Sequence, residues 1–161
     1  MPKLFSDEPH FNGVGHGVFL AGPTPRSSHV PSWRPQAIKL LEEGGYKGTI
    51  LIPERKDWSA QFDYIDQIEW EQAGLFNCDR IIFWVPRDLQ DMPAFTTNVE
   101  FGFWMSEKPE KCVYGRPPAA PKNSYLDWLY QEHTGKEPLD SLEEVVAVVL
   151  EDYNVNQFGS G

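Results

Sequence analysis

The chain lacks any apolar run approaching the ~20 residues that a membrane-spanning helix needs. Its N-terminus also lacks the basic-then-apolar order of a secretory leader, so the expected compartment is the cytoplasm, with no membrane partner. Positive charge is scarce: 14 Lys and Arg against 24 Asp and Glu give a net charge of -10. Such a balance opposes binding to a nucleic-acid polymer or an anionic lipid surface. There is little cysteine. Cys78 and Cys112 border or sit in apolar segments and read as reduced core residues; neither they nor His10, His16, His29 and His133 show metal-ligand spacing. The glycine-rich signatures Gly-x-Gly-x-x-Gly and Gly-x-x-x-x-Gly-Lys-Ser/Thr are missing too, which removes the dinucleotide and P-loop readings.

What the chain does have is the size of one domain, 161 residues with 40% hydrophobic and 14% aromatic side chains. Residues 1–16 mix Pro, Gly, Asn and charges without a period and read as an extended or mobile arm; 17–154 form the domain; 155–161 read as a frayed tail, linker-like at Gly159-Ser160-Gly161. Gly17 to Gly22 is a continuously apolar strand ending in Gly22-Pro23, where glycine permits close backbone approach to a ligand. Ser32 is positioned to cap a helix with Ile38 and Leu41 inward, stopped by Gly44-Gly45. Thr49 to Ile52 is a second strand closed by Pro53. A helix over Asp63 to Phe76 puts Tyr64, Ile68, Glu71 and Leu75 on one stripe, so that Glu71 lies in or beside the buried face. Arg80 to Val85 is the most hydrophobic strand and is expected at the centre. Lys111 to Tyr114 is a fourth strand, Ser124 to His133 a helix with Tyr125, Trp128 and Leu129 inward, and Ser141 opens a last amphipathic helix. This alternation predicts a doubly wound α/β fold, a parallel sheet of four to five strands with helices on both faces and the ligand at the carboxyl edge.

The stretch Thr96-Thr-Asn-Val-Glu-Phe-Gly-Phe-Trp-Met-Ser106 carries most of the chemistry. Glu100 is its only charge, set among Val99, Phe101, Phe103 and Trp104. A carboxylate in apolar surroundings near a helix start is how a nucleophile is built. The same residues also spell a capping box, Thr97-x-x-Glu100, in which the glutamate only holds the helix start. Gly102, inside this helix, costs about 1 kcal/mol relative to alanine, which points to close approach of another backbone or a ligand. Asp88 and Asp91, on the loop ahead of the helix, are candidates for a proton donor, since a neighbouring carboxylate raises one pKa of a pair. Trp33, Trp58 and Phe62 are available to stack a base, or to fill the core.

Phe19-Leu-Ala-Gly-Pro23, Trp70-Glu71, Asp79-Arg-Ile-Ile-Phe-Trp84 and Thr96-Thr-Asn-Val-Glu-Phe-Gly102 together resemble the nucleoside 2-deoxyribosyltransferase family over roughly residues 17–130. The resemblance implies a flavodoxin-like fold and transfer of 2-deoxyribose between nucleobases without cofactor or metal. It makes Glu100 the nucleophile and places Glu71 at or near a second carboxylate that holds sugar or base. Where family members carry an aspartate ahead of the nucleophile, this chain has Ala94, and where a tyrosine orients that nucleophile it has Phe19 and Leu20. An asparagine from a neighbouring subunit contacts substrate in the family, and Asn123 lies in the corresponding part; Asn98 is the alternative. The implied partners are nucleosides and nucleobases, and the implied assembly is a homo-oligomer, dimer or hexamer. Two rivals stay open. One is an N-glycosidase acting on a nucleoside monophosphate, with Arg26, Ser27, Ser28 and Arg34 as its phosphate pocket. The other is a non-catalytic nucleotide-binding sensor.

Overall fold

Five short strands run parallel in one sheet in the computed structural model, which describes residues 2–59 and 61–158. In chain order the elements are β1 Lys3–Phe5, β2 Gly17–Ala21, α1 Arg34–Glu43, β3 Thr49–Ile52, α2 Tyr64–Asn77, β4 Arg80–Trp84, α3 Phe95–Glu107, β5 Cys112–Gly115, α4 Ser124–Thr134 and α5 Leu142–Phe158. The strand order is β1-β3-β2-β4-β5. This is the flavodoxin-like, doubly wound arrangement expected from the alternation of strands and helices.

The strands read as continuous apolar runs because both faces are covered. Phe19, Leu51, Ile81, Phe83 and Tyr114 pack with Trp70 of α2, Phe101 and Trp104 of α3, and Leu126 and Tyr130 of α4. Val18, Leu20, Ile50, Ile82 and Val113 point the other way, onto Ala37 and Leu41 of α1 and Val145, Val146 and Val149 of α5. Period two within each strand thus sorts the side chains between the two helical layers. Cys78 and Cys112 are buried and free, and burial pushes both thiols up to about 12.

Several expectations are corrected. The N-terminal arm contributes an edge strand, with Leu4 opposite Leu51. The middle of the sheet is β2, with β4 beside it. On α4 the residues turned inward are Leu126 and Tyr130, whereas Tyr125 and Trp128 are exposed, because the helix phase follows the packing on Tyr114 and not the aromatic count. Helix α5 continues through Phe158, past the expected fraying point at Asn154; Gly159, Ser160 and Gly161 lie outside the described residues. Among the described residues no helix is long and apolar enough to cross a membrane.

β2 hands the chain through α1 to β3 on one side, and β3 hands it through α2 to β4 on the other. The carboxyl ends of β2 and β4 are therefore where the winding reverses, and a crevice opens there.

Candidate active site

The crevice is a cleft of about 290 Å³. Its walls are Ala21 to Thr24 and Arg26 after β2, Pro53 after β3, Tyr64, Gln67 and Glu71 of α2, and Pro93 to Thr97 with Glu100 at the start of α3; Arg34 of α1 closes it from behind.

Local structure explains how each wall is held. Gly22 has φ +147°, and a Cβ there would collide with the Trp84 carbonyl and the Trp33 ring. The glycine therefore serves the approach of the β2 loop to β4, which brings the two strand ends together. Trp33 donates its indole N–H to the Pro23 carbonyl at 3.0 Å and is buried beneath that loop. Helix α2 is capped by Asp63, whose carboxylate accepts the Ile65 amide at 2.8 Å. Helix α3 starts at Phe95, after Ala94 in the left-handed region at φ 63°. That backbone is held by buried Arg87, which donates to the Pro93 carbonyl at 2.5 Å and to the side-chain oxygens of Asn98 at 2.7 Å and Asn123 at 3.1 Å.

The early start of α3 removes the capping box. Thr97 lies inside the first turn, with its side chain buried, and the helix has no side-chain cap. Glu100 falls in the second turn, where the amides already have helical partners. Among the described residues its carboxyl accepts no hydrogen bond, and it opens on the cleft. Burial, and then the negative charge of Glu71, push it up to about 8, while Arg34 pulls in the opposite direction. Glu71 is raised as well, by burial, against the Gln67 amide that donates to it at 3.3 Å and the charge of Arg34. Two carboxyls in one cleft, both held above the ordinary range, retain a proton near neutrality.

Of the residues singled out in the sequence, Glu100, Glu71, Gly22, Pro23, Arg26 and Arg34 line the cleft, whereas Asp88, Asp91, Trp33, Trp58, Phe62, Asn98 and Asn123 do not. Asp88 is exposed and its carboxylate closes a turn, accepting the Gln90 and Asp91 amides at 3.0 and 2.8 Å. Asp91 ties the loops together through its carbonyl, which accepts the Arg26 amide at 2.9 Å. Phe62 sits under Arg55, 5.0 Å from the guanidinium, and Trp58 is on the same cation. Asn98 and Asn123 are occupied by Arg87, and Asn123 also donates to the Val85 carbonyl at 3.3 Å. Ser27 and Ser28 do not line the cleft.

Tyr64, Gln67 and Phe95, which had no assigned place in the expected site, complete it. Tyr64 and Phe95 are 66% and 67% exposed, both on the cleft wall, and so offer ring faces to a ligand. Arg26 lies 5.5 Å over the Phe95 ring. Gln67 holds Glu71. Tyr64 was legible as a member of the Glu71 stripe; Phe95 was hidden by taking the helix to begin later. No group of three or more His, Cys, Asp or Glu is placed to hold a metal ion among the described residues.

Residues 15–118 match the family described as nucleoside 2-deoxyribosyltransferase like. No curated protein matches the chain.

Proposed function

Because the chain belongs to the nucleoside 2-deoxyribosyltransferase-like family, we propose that it exchanges the nucleobase of a 2'-deoxynucleoside through a glycosyl ester on Glu100. The observation that carries this reading is the Glu100 carboxyl, which accepts no hydrogen bond among the described residues and opens on the same cleft as Glu71. One carboxylate oxygen of Glu100 attacks the anomeric carbon. The N-glycosidic bond breaks, its electron pair goes to the departing nitrogen, and Glu71 gives that nitrogen the proton the pair retains. A second base attacks the ester from the opposite side and returns a proton to Glu71, so two displacements restore the original configuration. Asp88 and Asp91 have no part in this scheme, since neither reaches the cleft.

The competing hydrolysis of a nucleoside monophosphate needs an anion pocket. Of the residues available for one, Arg34 is bound to Glu54, which leaves Arg26 as the cation on the cleft wall with no carboxylate partner among the described residues. Incubation with deoxyinosine and free adenine is expected to yield deoxyadenosine. Release of free deoxyribose without exchange, or deoxyribose phosphate from a nucleotide, sinks the transfer reading.

A homo-oligomer belongs to the same proposal. Val99 and Phe103 of α3 are 72% and 47% exposed, and Ile65 and Phe76 of α2 are exposed as well; the Phe76 and Phe103 rings lie 6.2 Å apart and join the two helices across an apolar surface. Gly102 faces out in its midst, and a Cβ there meets nothing within 4 Å among the described residues. The approaching backbone expected at Gly102 is therefore not one of its own elements; a second copy supplies it in this reading. Gly102→Arg is expected to keep the fold, since arginine is the better helix former, yet sediment as a monomer where the parent sediments as an oligomer. Identical sedimentation of the two excludes this surface.

A further inference from the structure

Arg34 lines the cleft and also a second groove of about 330 Å³ behind it, between β1, β3 and α1. Its side chain is buried, and four of its five N–H groups donate inside the protein. Nε donates to the Leu20 carbonyl at 3.0 Å, Nη2 to the Gly22 carbonyl at 2.7 Å, and Nη1 to the Thr24 hydroxyl and the Glu54 carboxylate, each at 2.8 Å. The Ser32 hydroxyl donates to the same Glu54 oxygen at 2.7 Å, fixing that carboxylate against the guanidinium. Arg34 thus clamps the loop after β2 with most of its donors. Its charge nevertheless stands at the back of the cleft.

The charged and titratable groups around it come from every neighbouring element. Glu71 and Tyr64 face the cleft from α2, Glu100 from α3 and Arg26 from the loop after β2. On the groove side stand Lys3, Lys39 and Glu42. There Lys3 is paired with Glu42 at 3.0 Å and Lys39 with Glu43 at 3.8 Å, so the groove-side cations are balanced at the surface.

We propose that the Arg34–Glu54 pair is an electrostatic control element for the cleft: Glu54 offsets part of the Arg34 charge and so limits how strongly that guanidinium favours the ionised forms of Glu71 and Glu100. Arg34 is a positioning residue in this scheme, acting through the two carboxyls. The directions of the shifts agree with it: Arg34 lowers both carboxyls against burial, and Glu54 in turn raises Arg34. The inference rests on the reading that Glu100 and Glu71 share the working proton, and it predicts opposite effects from two substitutions on one pair.

The test is a carboxyl titration by NMR of the full chain carrying ¹³C at the glutamate carboxyls, with Glu100→Gln identifying the Glu100 signal, run beside the pH profile of base exchange. Glu54→Gln unmasks the Arg34 charge and is expected to move the Glu100 midpoint down by about half a pH unit, roughly a threefold gain in ionised fraction on the flank. Arg34→Gln combined with Glu54→Gln removes the cation along with its partner and is expected to move the midpoint above that of the parent by about one unit. A Glu100 midpoint that stays put or rises in Glu54→Gln overturns the proposal, whether or not the double variant folds. If the midpoints move as stated while the exchange profile does not follow, the control element stands and the assignment of Glu100 as the working carboxylate falls.

Discussion

Glu100→Gln is expected to abolish base exchange and to yield a folded protein more stable than the parent above neutral pH. The two halves of this result have one cause. A carboxyl aimed at a sugar carbon from a desolvated wall is poorly stabilised in its charged form, and here burial and Glu71 hold it up to about 8. In the unfolded chain the same group ionises near ~4.3. Between those values the folded protein keeps a proton that the unfolded chain has released, so the parent loses stability as pH rises from about 4.3 towards about 8, and loses no more beyond. The amide carries no such penalty. The expected gain is about 1–3 kcal/mol near pH 8, discounted because the carboxyl is partly wetted by the cleft, and little below pH 4. Turnover is expected to fall by about 10⁴-fold or more, the loss typical of a missing nucleophile. Urea unfolding at pH 4 and pH 8, together with the deoxyinosine–adenine assay, checks both. A variant that still exchanges bases and is less stable at either pH would mean that Glu100 is a structural residue. In the parent, a 2-fluoro-2-deoxynucleoside is expected to leave a sugar adduct on the peptide containing Glu100.

Glu71→Gln is expected to cost about 10²–10⁴-fold with an ordinary purine deoxynucleoside, the usual range for a lost proton donor. With the N7-methylated guanine deoxynucleoside the loss is expected to shrink to within about tenfold of the parent, because that base already carries the positive charge that protonation supplies. The pH profile gives a second reading. The productive state has Glu100 ionised and the one proton of the pair on Glu71, so the parent profile is bell-shaped, with an alkaline limb where the pair gives up that last proton. In Glu71→Gln this alkaline limb is expected to vanish, and the acid limb to move down because a negative charge has left the cleft. Equal losses for both nucleosides with an unchanged alkaline limb would make Glu71 a binding residue only.

The carboxylates were legible in the sequence for a physical reason. Glu100 stands out as a lone charge in an apolar helix, and helical periodicity puts Glu71 on the stripe of Leu75, in or beside the buried face. The apolar runs of β2 to β5 were legible likewise, since strands covered on both faces have no polar alternation. β1 was not, because Lys3–Phe5 is short and half exposed and borrows its order from β3. The start of α3 was misplaced because a left-handed alanine and a buried arginine set it, and neither leaves a local signature. For the same reason the roles of Arg34 and Arg87 were hidden: a guanidinium that binds carbonyls distant in sequence looks like any surface arginine until the chain is folded. Trp33 and Phe62, attractive as stacking rings, are spent on Pro23 and Arg55.

The outermost strand also has a bearing on how the protein is handled. Lys3, Leu4 and Phe5 occupy the side of β3 that would otherwise present bare amides and carbonyls beside Leu51 and Ile52. Trimming those few residues, or pulling them away with a fused tag, uncovers a short apolar ribbon ready to pair with another molecule's backbone, and precipitation follows from that without any damage to the catalytic cleft.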